Sequence, residues 1–434
     1  MSPLRLNKIG IGLIGLGTVG SGVVNVLREN KKLLSDRSGV ELEIRRICVK
    51  DISKLRAVKV PRSFLCTDPE LLLKDPSISI VVELAGGIHP AKEILQKALA
   101  RGKYVVTANK ALLAQESEVI WEAATRAGVE IGFEASVCGG IPIIQALKEG
   151  LVSNKISHFL GIVNGTCNYI LSSMSSAGAD FHAALKTAQK KGYAEKNPTL
   201  DIDGTDSAHK LAVLARLAFG AKIPFEKIHI EGIQKISAAD IEYARELGYA
   251  IKLLAIGKRS ARGLELRVHP TMLPLDHPLS HVHGVYNAVF VRGDRVDDLL
   301  FYGRGAGMYP TASAVVSDMI AIAKKIHAGG AKASAHPMPA VPTKICPMDE
   351  TVCKYYLRFQ VADKPGVLGR IAQTLGKNRI SILSVHQKES RDAKSVPVII
   401  LTYEAKEKDL RKALSQIDHF PESCENTAVI RVEK

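Results

Sequence analysis

Long apolar runs are missing from this sequence. Across its 434 residues, no stretch approaches the roughly 20 uninterrupted apolar residues that a membrane span needs. The run Ile9–Val19, just after Lys8, has the length of a signal-peptide core. It is packed with glycine and no small-residue cleavage site follows, so it reads as a strand and a turn. Cysteine is sparse too: seven residues, dispersed, odd in number and never in a CxxC pair. That argues against a disulfide framework and for reduced thiols in the cytoplasm. Aromatic residues are few, and nowhere do they interleave with basic ones as base-stacking platforms require. The formal charge of +15 therefore reads as a general field for phosphorylated cofactors and acidic metabolites, with no nucleic acid or membrane as partner.

What is present is the composition of an ordinary globular chain, long enough for two or three domains and without internal repeats. Short β-rich runs (Ile9–Ile14, Leu42–Val49, Ile78–Glu83, Tyr104–Thr107) alternate with helical ones (Val19–Asn30, Ala91–Ala100). Such alternation predicts a parallel sheet flanked by helices. From about Phe133 to Gly307, helical periods mix with strands such as Ile228–Ile230 and Leu264–Val268, and a helix follows over Ala312–Ile326. A stretch rich in Ala, Gly, Ser and Pro then has linker composition. The tail beyond Tyr355 reads strand, helix, strand, strand, helix, strand, a compact α+β unit with its own core.

Chemistry first shows in Gly12-Leu-Ile-Gly15-Leu-Gly17-Thr18-Val19-Gly20, a G-x-G-x-x-G between an apolar strand and a helix. The glycines provide a tight turn, close backbone approach to a pyrophosphate, and helix–strand packing. The helix N-terminus supplies free N–H groups for phosphate. At the end of the second strand, Lys50 precedes Asp51, Lys54 and Arg56. A cation there suits the 2′-phosphate of NADP, whereas an acid would hold the ribose of NAD. NADP(H) is favoured, with NAD(H) as the alternative.

Three further segments place ionisable residues among apolar neighbours. Lys110 ends Tyr104-Val-Val-Thr-Ala-Asn-Lys, just past a predicted strand. Asp206 and Lys210 stand i,i+4 at the start of a helix that is apolar almost all round apart from Arg216, so they share one face near a buried mouth. A partly buried lysine is well suited to acid/base work. The third comprises Glu134-Ala-Ser-Val-Cys-Gly-Gly-Ile-Pro-Ile and Gly161-Ile-Val-Asn-Gly-Thr-Cys-Asn-Tyr169, whose glycine turns suggest backbone approaching a ligand or ion. Cys138 and Cys167 read as small buried residues.

Together GLGTVGSGVV, VVTANK, EASVxGGIPII, GIVNGTxNYIL, GYAE with its downstream DxxxK, and FYGxGAG resemble the homoserine dehydrogenases in order and spacing over roughly residues 9–325. The resemblance implies an α/β protein with a Rossmann-type nucleotide-binding domain over 1–135 and an α+β catalytic and dimerisation domain over 136–307. A helix over 308–327 would return to the nucleotide domain, and 328–350 would be a linker. It implies that Lys210 is the general acid/base and that Lys110 lies between nicotinamide and substrate. Glu195 and Asp206 would engage the substrate's ammonium end. Cofactor contacts would come from Gly15, Gly17, Thr18, Val19, Gly20, Lys50, Gly86, Lys110, Gly192 and Gly307. A structural sodium ion would be held by Glu134 and the carbonyls of Val137, Gly139 and Ile141, an all-oxygen set suited to a hard cation.

The sequence departs from the family pattern at Lys50 and His209, where arginine is usual. It also departs at Lys196-Asn197 after Glu195, and at Arg304 within GxGAG. The tail, residues 351–434, resembles an ACT domain of ferredoxin-like βαββαβ form. That implies a homodimer or homotetramer and threonine as an effector at this domain. Two rivals remain at this point: a semialdehyde dehydrogenase with a thiolate nucleophile, and a non-catalytic amino-acid sensor.

Overall fold

The computed structural model describes residues 7–329, 340–387 and 395–433. Part of the expected linker, 330–339, lies outside the described residues. The chain divides into two compact units. The first gathers Met1–Ile156, His209–Phe225 and Tyr286–Pro342; the second gathers Ser157–Ala208, Glu226–Val285 and Thr343–Lys434.

The first unit is built on six strands: β1 (Asn7–Ile14), β2 (Val40–Cys48), β3 (Leu65–Cys66), β4 (Ile78–Glu83), β5 (Tyr104–Thr107) and β6 (Ile131–Gly132). They are parallel and ordered β3-β2-β1-β4-β5-β6. Strands covered on both faces must be apolar on both, and β4, sequence ISIVVE, is almost wholly buried. The order reverses between β1 and β4, which opens a crevice at the strands' carboxyl ends.

The helix expected over Ala312–Ile326 runs over Met308–His327. It begins a turn earlier because Pro310 falls in the first turn, where its missing N–H has no partner to lose. Its Ala312, Val315, Val316 and Met319 share one core with Ile11, Leu13, Val23 and Val24. A side chain at Gly22 would strike Met308, so glycine lets this helix lie close on Thr18–Glu29.

In the second unit, strands Tyr249–Ser260 and Gly263–Pro274 form a long antiparallel hairpin. The tail forms Val352–Val361, a helix Val367–Lys377, Ile382–Gln387, Val396–Thr402, a helix Glu407–Ile417 and Ala428–Val432. Its four strands lie in the order last, first, third, second, which is the ferredoxin-like arrangement. Alternation along Val352–Val361 divides its side chains between two tasks. Tyr355, Leu357 and Phe359 enter the tail's own core, while Tyr356 and Arg358 reach Asp240 of the helix Ala238–Glu246.

The tail has its own core, yet its sheet does not stop at its boundary. Ala428–Val432 pairs in parallel with Gly263–Pro274, setting Thr271 opposite Arg431 and Met272 opposite Val432. Buried charges join the same seam. Arg431 donates to Glu231 at 2.8 and 2.9 Å and to Glu407 at 2.6 and 3.0 Å. Beside it, Arg267 pairs with Glu265 and Glu433. Burial disfavours the Glu407 carboxylate, but Arg431 outweighs that and holds it below its usual range.

Candidate active site

Each glycine of the opening turn has a distinct geometry. Gly15 has φ 95°, and a Cβ there would lie 2.8 Å from the Leu84 carbonyl carbon. At Gly20 a Cβ would come within 2.3 Å of the Gly15 oxygen, so only glycine lets the helix start against the strand. At Gly17 a Cβ would meet no protein atom within 4 Å. The space over Gly17 is open, and Thr18 and Val19 begin the helix there with no side-chain cap on its amides. An uncapped helix start of this kind is suited to an anion.

Lys50 is exposed at the end of β2. Asp51 turns back into its own loop, where its Oδ1 accepts the Ser53 amide at 2.8 Å and the Ser53 hydroxyl at 2.6 Å. Those bonds hold the carboxyl below its usual range. Arg56 folds over the same loop and donates to the Asp51, Ile52 and Lys54 carbonyls. The loop thus offers cationic groups outward while its one acid is engaged locally.

Lys110 opens the helix Lys110–Gln115 rather than lying in a free loop, because Asn109 caps that helix through the Leu112 amide. Lys110 is half-buried. Gly86 follows β4 with φ 75°. Gly307 has φ 125° and caps the helix Met308–His327.

The expected sodium loop lies in the same unit. Cys138 and Gly139 follow one another with φ of 55° and 42°, an uncommon pair that turns the backbone sharply between Val137 and Ile141. Gly139 sits against the Gly305 carbonyl, which brings this loop beside the Gly307 turn. The Glu134 carboxylate accepts the Ile144 and Gln145 amides at 2.8 Å each, and its own amide donates to Asp318. Burial, with Glu134 alongside, pushes Asp318 up to about 7. An all-oxygen set of backbone carbonyls with Glu134 would suit a hard monovalent cation.

The helix Thr205–Phe219 carries Asp206, buried, and Lys210, half-buried, one turn apart. In the second unit Asn164 donates to Asp206 at 2.9 Å and to Asp201 at 2.7 Å. It also caps the helix Gly165–Ala177. Sequence reasoning quoted the Asn164 segment without giving this residue a role; an asparagine between an apolar strand and a glycine was the available signal. Glu195 is exposed, in a turn whose carbonyls accept from Gln189. Gly192, φ 73°, opens that turn beside Tyr193, whose carbonyl accepts the Thr166 hydroxyl.

Of the cysteines considered as nucleophiles, Cys138 and Cys167 are both buried. Cys167 donates to the Asp201 carbonyl at 3.1 Å. All seven cysteines carry free thiols in place of disulfides.

A glycine turn at the switch point of a six-stranded parallel sheet, joined to a second sheet and an ACT tail, defines an NAD(P)-dependent oxidoreductase with a regulatory domain. Family models agree: "Homoserine dehydrogenase, NAD binding domain" matches residues 15–134, "Homoserine dehydrogenase" 142–320 and "ACT domain" 355–419. The homoserine dehydrogenase of Neisseria gonorrhoeae is 44% identical over 438 residues, covering 100% of this chain and 99% of the relative. A crystal structure of the enzyme from Thiobacillus denitrificans superposes with TM-score 0.92 at 43% identity, covering 99% of each chain. A hyperthermophilic archaeal homoserine dehydrogenase, solved in complex with NADPH, gives TM-score 0.63 at 27% identity, covering 73% of this chain and 98% of that one. The chain belongs to the homoserine dehydrogenase family. No helix among the described residues is long and apolar enough to cross a membrane.

Proposed function

We propose that the chain interconverts L-homoserine and L-aspartate 4-semialdehyde with NADP(H) in preference to NAD(H), in the branch that leads to threonine and methionine. The observation carrying the cofactor choice is the Lys50–Arg56 loop, where Asp51 is bound into its own turn and cations face outward. A ribose-binding acid is the feature NAD would need there. The archaeal relative solved with NADPH supports the same choice. Lysine at position 50 contacts phosphate as a point charge, so the discrimination should be smaller than a bidentate arginine would give.

A bound nicotinamide would supply hydride transfer to and from the substrate's C4. Lys210 takes the hydroxyl proton in oxidation and returns it to the forming alkoxide in reduction, where a cation best stabilises developing charge. Asp206, one turn before it and fixed by Asn164, orients the substrate's ammonium end together with Glu195. Lys110 stands between nicotinamide and substrate. Gly15, Gly17, Thr18, Val19, Gly20, Gly86, Gly192 and Gly307 line the cofactor. Glu134, Val137, Gly139 and Ile141 hold sodium as a structural ion.

Threonine acts at the ACT domain, and the enzyme works as a homodimer or homotetramer. The odd, dispersed cysteine count suits a cytoplasmic setting.

Initial rates with NADPH and with NADH, using aspartate 4-semialdehyde, with and without threonine, test this reading. Faster consumption of NADPH is expected, with inhibition by threonine. Equal or greater use of NADH would overturn the cofactor choice. Abolition by a small thiol-alkylating agent would point instead to a thiolate dehydrogenase.

A further inference from the structure

Glu83 ends β4 at the crevice and is fully buried. A buried carboxylate is costly unless donors surround it, and here every donor is neutral. Its Oε1 accepts the Ala85 amide at 2.8 Å and the Gly86 amide at 2.9 Å. Its Oε2 accepts the Thr107 hydroxyl at 2.8 Å. Thr107 Oγ1 accepts in turn the Asn109 amide at 3.0 Å. Asn109 closes the circuit: its side-chain amide donates to the Gly87 carbonyl at 2.6 Å while its Oδ1 caps the helix that Lys110 opens. One side chain therefore ties together the loop holding Gly86 and the turn holding Lys110.

We infer that Glu83 is a positioning residue for hydride transfer, acting through Thr107 and Asn109 to fix Lys110 and through two backbone amides to fix the Gly86 loop. This rests on the roles proposed above for Lys110 and Gly86. Nothing in a stable Rossmann sheet calls for a carboxylate at this place. β4 and β5 already pair through Ile80–Tyr104, Val81–Val105, Val82–Val106 and Glu83–Thr107, and an apolar residue would fill the site without desolvating a charge. What the carboxylate adds is directional: three acceptor bonds that orient two loops at once.

The two arms can be cut separately. Thr107→Val removes the hydroxyl, and with it the bonds Thr107 makes to Glu83 and to the Asn109 amide, so that Lys110 is held only through the Asn109–Gly87 bond, while both amide bonds from the Gly86 loop to Glu83 persist. It should lower kcat about tenfold to a hundredfold, the scale of a small misplacement of a reacting group, with the KM for NADPH unchanged. Thr107→Ser, which keeps the hydroxyl, should restore kcat. Glu83→Gln perturbs both arms and should lower kcat and raise the KM for NADPH together. In a Lys110→Ala background, Thr107→Val should cost nothing further.

Rates are read per folded active site, with Tm recorded beside them, so that loss of folded protein is not counted as loss of rate. If Lys110→Ala keeps full turnover, the role given to Lys110 fails and the latch loses its target. If Lys110→Ala falls but Thr107→Val and Glu83→Gln keep wild-type kcat and KM, the latch alone is overturned. The same follows if their losses multiply with that of Lys110→Ala. Should Thr107→Val not fold, Glu83→Gln and its combination with Lys110→Ala decide by the same readouts.

Discussion

The two units spend their buried polar groups differently. In the first, the buried Glu83 is met only by amides and a hydroxyl, and the glycine turn offers backbone alone. In the second, buried Glu407 meets Arg431, and Glu433 meets Arg267 and Lys258. Neutral donors fix the direction of the Glu83 side chain without a counter-ion. Ion pairs neutralise themselves and bind nothing, so they serve attachment. The crevice end of β4 is arranged to orient two loops, the seam to fasten the tail.

If that contrast holds, lesions in the first unit should cost rate and lesions at the seam should cost stability. The largest effect is expected for Lys210→Ala, with kcat lowered by about 10²–10⁴ and Tm little changed. Turnover near wild type would remove Lys210 from acid/base work.

Next comes Arg431→Ala, which takes the main cation from the buried Glu407 and from the partly exposed Glu231 and should cost up to about 3–5 kcal/mol in chemical denaturation. The deficit has a pH signature. Burial opposes the charged forms of Glu231 and Glu407, but Arg431 (with His229 at Glu231) outweighs it and depresses both. Their contribution is therefore present above the unfolded carboxylate pKa of about 4.3 and fades as pH falls below it. The variant and the parent should converge in acid. By contrast, Lys32→Ala, which removes an exposed pair with Asp36, should leave stability unchanged within error.

The glycine turn sharpens the contrast inside one motif. Gly20→Ala must push against the Gly15 carbonyl and should lower Tm, whereas Gly17→Ala meets no protein atom. Gly17→Ala should keep its Tm and raise the KM for NADPH. A normal KM with a lowered Tm would mean that the space over Gly17 is structural.

An effect of opposite sign is expected at Lys252, buried in the second unit and donating to the Val282 carbonyl at 2.5 Å. Burial pulls its pKa down to about 8. The folded protein thus binds this proton more weakly than the unfolded chain, whose lysines titrate near about 10.4, and stability should rise between those values. Lys252→Met should raise Tm at pH 7, and the gain should shrink towards pH 10. Asn168 still donates to the Val282 carbonyl in that variant. A pH-independent difference would show that the ammonium stays charged in the folded state.

Much of the first unit was legible because its strands are buried on both faces and punctuated by glycine. Ile78–Glu83, Ala91–Ala100 and Tyr104–Thr107 fall where the sequence put them. Asp206 and Lys210 were legible through helical spacing alone. Glu83 was not, since a lone acid closing an apolar strand looks like the first residue of a solvated turn. Nor was the seam. Arg431 and Glu433 alternate with apolar residues and so resemble an exposed strand face, and Glu231 is 200 residues away from Arg431. The helix Lys110–Gln115 was missed because six residues are too few to display a period.

Ala428–Val432 lies between two other strands of its sheet, not at an edge. A nascent chain emerging from the ribosome therefore has the long hairpin Tyr249–Pro274 well before it has the neighbour that covers that hairpin's flank. His229–Ile230, made earlier, already pairs with Arg267 and Val268, but until residue 432 arrives Thr271 and Met272 lack their strand partner, a short template for mispairing. Chaperone dependence of this protein should thus be concentrated in the interval between making the hairpin and making its late partner.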